Sequence, residues 1–383
     1  MRKISILLAL LIPFTFAISR FSPFSECSRS VHEKVQSVHN YSANSACLID
    51  AESGKVLYGK NEHTPLPIAS TTKIMTALVA LESNIPLDSV ISTPDEAVGI
   101  EGSSIYLDYG EKITLEALLY ALLLSSANDA AIAIAHAVSG STEQFVELMN
   151  ERALSLGLKN THFCNPHGLY DEEHYCSSYD LAIIMAEACK NETFLAISGT
   201  KKLTIPKGDD STRTLINHNR LLRDSDGVVI AGKTGFTKKS GRCLVTLAEK
   251  DDLRLICVTL NAPNDWNDHT SLYDFGFSKY EKITLDSMEV RIPLISGNKT
   301  EITAKSECIT LTLSREHGEI TTVIQAPQMM YSPVKKGEVI GKIKYICDGK
   351  TIATSSLYTT EDAERLQYGF NLLKWLQELF NNN

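Results

Sequence analysis

The chain has 383 residues, 43% of them hydrophobic and 22% charged, and carries a formal net charge of −9. That balance excludes a disordered chain and argues against nucleic acid as a partner. Single cores rarely grow beyond roughly 250 to 300 residues, so two domains or more are expected.

At the N-terminus Arg2 and Lys3 precede ISILLALLIPFTFAIS, an apolar run that is short for a bilayer span and ends in small residues. This is the pattern of a secretory signal peptide over residues 1–19, with an uncleaved membrane anchor as the alternative. Export would place the nine cysteines in an oxidising compartment, where an odd count leaves at least one outside any internal pair. Most of them lie in apolar runs, as in SACLID, GRCLVTLA and LRLICVTL, where cysteine acts as a small buried hydrophobe. There is no Cys-x-x-Cys and no histidine cluster, so neither a metal nor another cofactor is expected.

Two strands, ACLIDA and KVLYGK, are expected around the turn Glu52-Ser53-Gly54. A helix is expected from Ser70, where Ile74, Ala77, Leu78 and Leu81 mark one apolar face. Residues 113–200 read mainly as helix, and strands return at GVVIAGKTGF, GRCLVTLAEK and LRLICVTLNA, the last two forming a hairpin about Lys250-Asp251-Asp252. Strands at both ends with helices between imply one sheet with helices packed on it, over residues 40–280. After about residue 281 the texture changes to short strands such as EVRIPLI, CITLTL and VIGKIKYIC, which predicts a small all-β domain over 281–358. The remaining residues, 359–383, place Leu366, Phe370, Leu373, Leu376 and Phe380 on one face of an amphipathic helix. Such a helix suits either packing on the β domain or lying in a membrane surface.

The chemistry is concentrated in three short elements. IASTTKIM holds Ser70 and Lys73, and on a helix that spacing brings a hydroxyl within hydrogen-bond reach of an amine. Serine is a weak nucleophile until a base takes its proton, and lysine can be that base only when burial or a second cation lowers its pKa. Ser-x-x-Lys is a cheap pattern and recurs at Ser296 and Ser332. It gains meaning from Ser126-Ala127-Asn128, between two helical runs, and from Lys233-Thr234-Gly235, on a strand and present once. In this order and on these elements, the three motifs resemble the penicillin-binding proteins and serine β-lactamases. With CLIDAESGKVLYGK, GSSIYLDYGEKITLEALLYALLL and the later SPVKKGEVIGKI, the likeness over roughly residues 40 to 380 is to the low-molecular-mass D-alanyl-D-alanine carboxypeptidases.

That resemblance implies an α/β (α+β) transpeptidase-like domain, an antiparallel sheet flanked by helices, followed by the small all-β domain. It implies a serine peptidase that removes the terminal D-alanine of peptidoglycan stem peptides and is inhibited by β-lactams. Ser70 would attack and become acylated, Lys73 would take its proton, and Ser126 would relay protons to the leaving amine. Asn128 would bond the substrate's amide backbone, Lys233 would add positive field, Thr234 would help bind the terminal carboxylate, and Gly235 would permit close approach. The backbone N–H groups of Ser70 and Phe236 would hold the oxyanion. The family often has a basic residue near His218 and Arg220, though neither is assigned that role; His174 reads as structural. The likeness further implies an exported protein, periplasmic or otherwise extracytoplasmic, held at the membrane surface by its terminal helix. Endopeptidase activity on cross-linked stems, a class A β-lactamase using Glu187 and Asn191, and a penicillin-binding sensor are the alternatives.

Overall fold

A computed structural model of the chain describes residues 41–207 and 211–366. Five strands form an antiparallel sheet: β1 (Ser45–Asp50), β2 (Val56–Lys60), β3 (Val229–Thr237), β4 (Gly241–Lys250) and β5 (Leu253–Leu260). Their spatial order is β2-β1-β5-β4-β3, so the first and last parts of this domain meet at the sheet centre. Central strand β1 is buried along its whole length because both sheet faces are covered. Cys47 and Ile49 point into one core and Ala46 and Leu48 into the other, as a two-residue side-chain period requires. Asp251 and Asp252, both at positive φ (50° and 62°), make the two-residue turn between β4 and β5 where the hairpin was expected.

Six helices contribute to the larger core: α1 (Lys73–Glu82), α2 (Leu115–Leu124), α3 (Asn128–Ser139), α4 (Thr142–Ser155), α5 (Ser178–Ala188) and α6 (Glu192–Gly199). Thr114, Ser141, Ser177 and Asn191 cap α2, α4, α5 and α6, each accepting a first-turn N–H. On the opposite sheet face α7 (Asp265–Lys279) packs Leu272, Tyr273 and Phe275 into the second core. The helix expected from Ser70 starts three residues later. Ala69–Thr72 form a 3₁₀ turn in which the Thr71 and Thr72 hydroxyls bond back to the carbonyls of Ile68 and Ala69. Threonine hydroxyls in this position compete with the regular helical ladder, and Ala69 itself sits in the left-handed region at φ 49°.

The C-terminal domain is all β: β6 (Tyr280–Leu285), β7 (Glu289–Ile295), β8 (Glu301–Ser306), β9 (Ile309–Ser314), β10 (Ile320–Gln325), β11 (Met330–Tyr331), β12 (Val339–Cys347) and β13 (Lys350–Thr359). Six of these strands lie in the order β10-β12-β13-β8-β7-β11, and β6 pairs with β9. The ribbon of β6 and β9 joins the first domain through Thr312, which donates to Asp50 Oδ2 at 2.6 Å and accepts from Lys55 Nζ at its carbonyl.

The start of the terminal segment departs from expectation. Thr359 closes β13, Ala363 bridges to Val334 and is buried, and Arg365 bridges to Gly297, so residues 359–366 are extended chain belonging to the β domain. The rest of the expected helix, like the expected signal segment, lies outside the described residues. Among the described residues no helix is long and apolar enough to cross a membrane, and no cysteine is disulfide-bonded.

Candidate active site

The 3₁₀ turn, the α2–α3 junction and strand β3 converge on one cleft of about 310 Å³, lined by Ser70, Ser126, Thr234, Gly235 and Phe236 together with Ser103 and His218. Each element places its residue by local means. Ser126 occupies the two-helix junction at φ 58°, a left-handed conformation that a non-glycine residue adopts only under constraint. Strand β3 directs Lys233 inward. At Gly235 an added Cβ would lie 3.0 Å from Ile68 O and 3.1 Å from Ser70 N. The strand therefore rests directly on the turn that bears Ser70, and what Gly235 admits is that backbone.

Lys73 is the centre of the arrangement and is fully buried. Its Nζ lies 3.0 Å from Ser70 Oγ, 2.7 Å from Asn128 Oδ1 and 2.6 Å from His167 O. The Asn128 amide is oriented by its own Nδ2, which donates to Glu101 O at 2.7 Å, so its oxygen faces the lysine. Two of the three neighbours of Nζ can thus only accept. A neutral amine has two hydrogens for them and keeps its lone pair for the Ser70 hydroxyl. Burial, and after it the charge of Lys233, hold the Lys73 amine well below the ordinary lysine value, against the opposing pull of Asp129.

Across the cleft Lys233 Nζ donates to Ser126 Oγ at 3.0 Å and to Thr234 O at 2.9 Å, and burial lowers this amine to about 7. Each serine therefore has its own lysine. Buried Asp129 shapes the rim by accepting from Ser104 Oγ and from the N–H groups of Ile105 and Leu107, which ties the 101–108 loop beside Asn128.

All eight expected site residues are at or beside the cleft, with Asn128 seen here as a partner of Lys73. His218 lines the cleft, whereas Arg220 pairs with Asp224 and lies over the Trp266 ring. His174 is buried beneath the turn and bonds Thr72. Sequence reasoning missed the His167 carbonyl, since a backbone acceptor leaves no mark in residue type. It also missed Arg242, Asp265 and Trp266, a stacked and ion-paired group on the cleft wall. The class A β-lactamase alternative finds no support: Glu187 is bound by Arg152 and Lys190, and Asn191 caps α6.

Comparison with known proteins gives the family and the fold. Residues 31–264 match the peptidase S11 family, described as D-alanyl-D-alanine carboxypeptidase, and residues 279–365 match the C-terminal domain of penicillin-binding protein 5. The chain is 35% identical to D-alanyl-D-alanine carboxypeptidase DacF of Bacillus subtilis over 379 residues, 95% of each chain. It is 31% identical to a D-alanyl-D-alanine endopeptidase of Pseudomonas aeruginosa over 74% of this chain and 87% of that one. Penicillin-binding protein 5 of Haemophilus influenzae superposes with a TM-score of 0.74 at 29% identity, covering 85% of this chain and 98% of that chain. The chain belongs to the peptidase S11 family of serine D-alanyl-D-alanine carboxypeptidases.

Proposed function

We propose that the protein is a D-Ala-D-Ala carboxypeptidase of peptidoglycan stem peptides in which Ser70 is the nucleophile. Lys73, as a neutral amine, takes the Ser70 proton while Oγ adds to the carbonyl between the two D-alanines. The oxyanion is held by the N–H groups of Ser70 and Phe236. The C–N bond then breaks as Ser126 hands a proton to the departing D-alanine and takes its replacement from the Lys73 ammonium, which returns Lys73 to the neutral amine; Lys233 supports Ser126 and, with Thr234, attracts the substrate carboxylate. Water, activated by Lys73, cleaves the acyl-enzyme and returns the proton to Ser70. A β-lactam that acylates Ser70 inhibits by occupying this intermediate.

The observation that carries the reading is the partner set of Lys73: two obligate acceptors for its hydrogens and one hydroxyl left for its lone pair. Mass spectrometry of the protein lacking residues 1–19 tests it. A stem pentapeptide ending in D-Ala-D-Ala should lose one D-alanine, and penicillin should leave an adduct on the Ser70 peptide. Adduct without D-alanine release would replace the carboxypeptidase with a sensor, and absence of both would overturn the site.

We further infer that the protein works outside the cytoplasm and that residues 367–383 lie along a membrane surface, on the strength of the apolar face that continues from Leu366 through Phe380. Leu366, the last described residue, is still tied to the β domain, its N–H donating to Ser296 O. Truncation after Leu366 should therefore release a folded, active enzyme from membranes. If that product still sediments with membranes, the anchor is elsewhere.

A further inference from the structure

Beneath the nucleophile runs a chain of three hydrogen bonds that the reaction scheme does not use. The Cys164 backbone N–H donates to His174 Nδ1 at 3.1 Å, and His174 Nε2 lies 2.7 Å from Thr72 Oγ1. The Thr72 hydroxyl in turn donates to Ala69 O at 2.8 Å. An amide N–H can only donate, so Nδ1 must be the acceptor and the neutral ring carries its hydrogen on Nε2. Nε2–H then donates to Thr72 Oγ1, which leaves the threonine proton for the Ala69 carbonyl. His174 and Thr72 are both buried, so the direction of the chain is set by the protein.

Ala69 is the residue before the nucleophile and sits at φ 49°. Its carbonyl and the Ser70 N–H belong to one planar trans peptide and point to opposite sides. Whatever holds the carbonyl therefore aims the N–H. The Asn165–His174 loop also closes on this carbonyl: a Cβ on Gly168 would lie 2.0 Å from Ala69 O and 2.9 Å from Thr72 Oγ1.

We propose that His174 is a positioning residue which, through Thr72, fixes the Ala69–Ser70 peptide plane and so aims the Ser70 N–H at the developing oxyanion. The assignment rests on Ser70 acting as the nucleophile. It gives His174 a place in the transition state without contact with substrate, and it predicts an effect on the chemical step rather than on binding.

The test compares Thr72→Val, Thr72→Ser, His174→Asn and His174→Gln with wild type, measuring kcat and KM on a D-Ala-D-Ala peptide and the rate of penicillin adduct formation. Thr76→Val is the control, since Thr76 is a buried threonine on α1 whose hydroxyl bonds Pro166 O. Thr72→Val and His174→Asn should lower kcat roughly 10- to 100-fold, the scale of a misaimed oxyanion donor, with KM within about twofold of wild type. Thr72→Ser restores the hydroxyl and His174→Gln restores a donor toward Thr72, so both should recover most of the loss. Thr76→Val should lower Tm without that loss of kcat. If Thr72→Val does not fold, the His174→Asn and His174→Gln pair decides. Wild-type kcat in Thr72→Val, a deficit no larger than that of Thr76→Val, or equal loss in both His174 variants would overturn the proposal. A wild type that forms no Ser70 adduct would instead overturn the reading of the site beneath it.

Discussion

The two domains bury different things. Interior positions of the first include Lys73, Lys233, Asp129, His174 and His269, all ionisable groups withdrawn from water. In the second, the buried polar side chains among the described residues are the hydroxyls of Ser306, Thr312, Ser332, Ser355 and Thr359, and its charges pair outside, as in Lys305–Glu289 and Arg291–Glu301. Burying a charge is costly unless it is paired or neutralised, so a fold retains buried lysines where shifted protonation serves a reaction. The contrast locates the chemistry without reference to any motif.

The largest expected effect breaks the comparison at its centre. Ser70→Ala should abolish the penicillin adduct and lower peptide hydrolysis by about 10⁴-fold or more, since the nucleophile and its base act as a unit. The β domain should be untouched by this change, which thermal unfolding would verify.

Acid should separate the domains next. Burial lowers His269 to about 3, and His174 is lowered to about 4 chiefly by burial. Their folded pKa values lie below the unfolded value, so between those points the unfolded chain binds more protons and stability rises with pH. On acidification from about pH 6.5 to 4, each such histidine should cost the first domain about 1.4 kcal/mol per pH unit. The β domain contains only His317, which is outside its core. Hydrogen exchange at pH 4.5 should show the peptidase domain opening first, and simultaneous opening would contradict this account.

A pair of glycines sharpens the contrast in packing. Gly168 and Gly337 have nearly the same φ, 84° and 82°, but an added Cβ meets Ala69 O at 2.0 Å in the first and nothing within 4 Å in the second. Gly168→Ala should cost about 3 kcal/mol or more, through strain and overlap together, while Gly337→Ala should cost only about 1 kcal/mol. Denaturant unfolding of the two variants gives the difference directly.

A smaller effect concerns protonation at the site. The pH profile of kcat/KM should rise as Lys73 sheds its proton and fall again as Lys233, lowered to about 7, loses its charge, with each limb approaching tenfold per pH unit. A profile without the falling limb would remove Lys233 from carboxylate recognition. Smallest of all, Thr312→Val breaks the bond to Asp50 between the domains and should cost about 1 kcal/mol while leaving kcat unchanged.

Much of this was legible in residue order. EVRIPLI and VIGKIKYIC correspond to strands Glu289–Ile295 and Val339–Cys347 because alternation of apolar residues reports a half-buried strand directly. The strands Tyr280–Leu285 and Glu301–Ser306 went unread, since YEKITL and EITAKS carry too many polar residues to stand out against the neighbouring loops. Residues 359–366 fall within the expected helix only as the lead-in to an apolar face that begins at Leu366. In the fold they make isolated bridges to Gly297 and Val334 in the loops of the β domain, and Ala363 fills its core.

By itself the sequence determined the three motifs, their order and their approximate placement, because those follow from local spacing, and the likeness of that set to a known family supplied the class of chemistry. Only the tertiary structure decided the protonation and aim of the groups. That Lys73 faces two obligate acceptors, that Lys233 stands against Ser126, and that His174 reaches Ala69 through Thr72 are long-range facts. They depend on which backbone atoms meet around a buried amine, and a carbonyl or a peptide plane has no letter in the sequence.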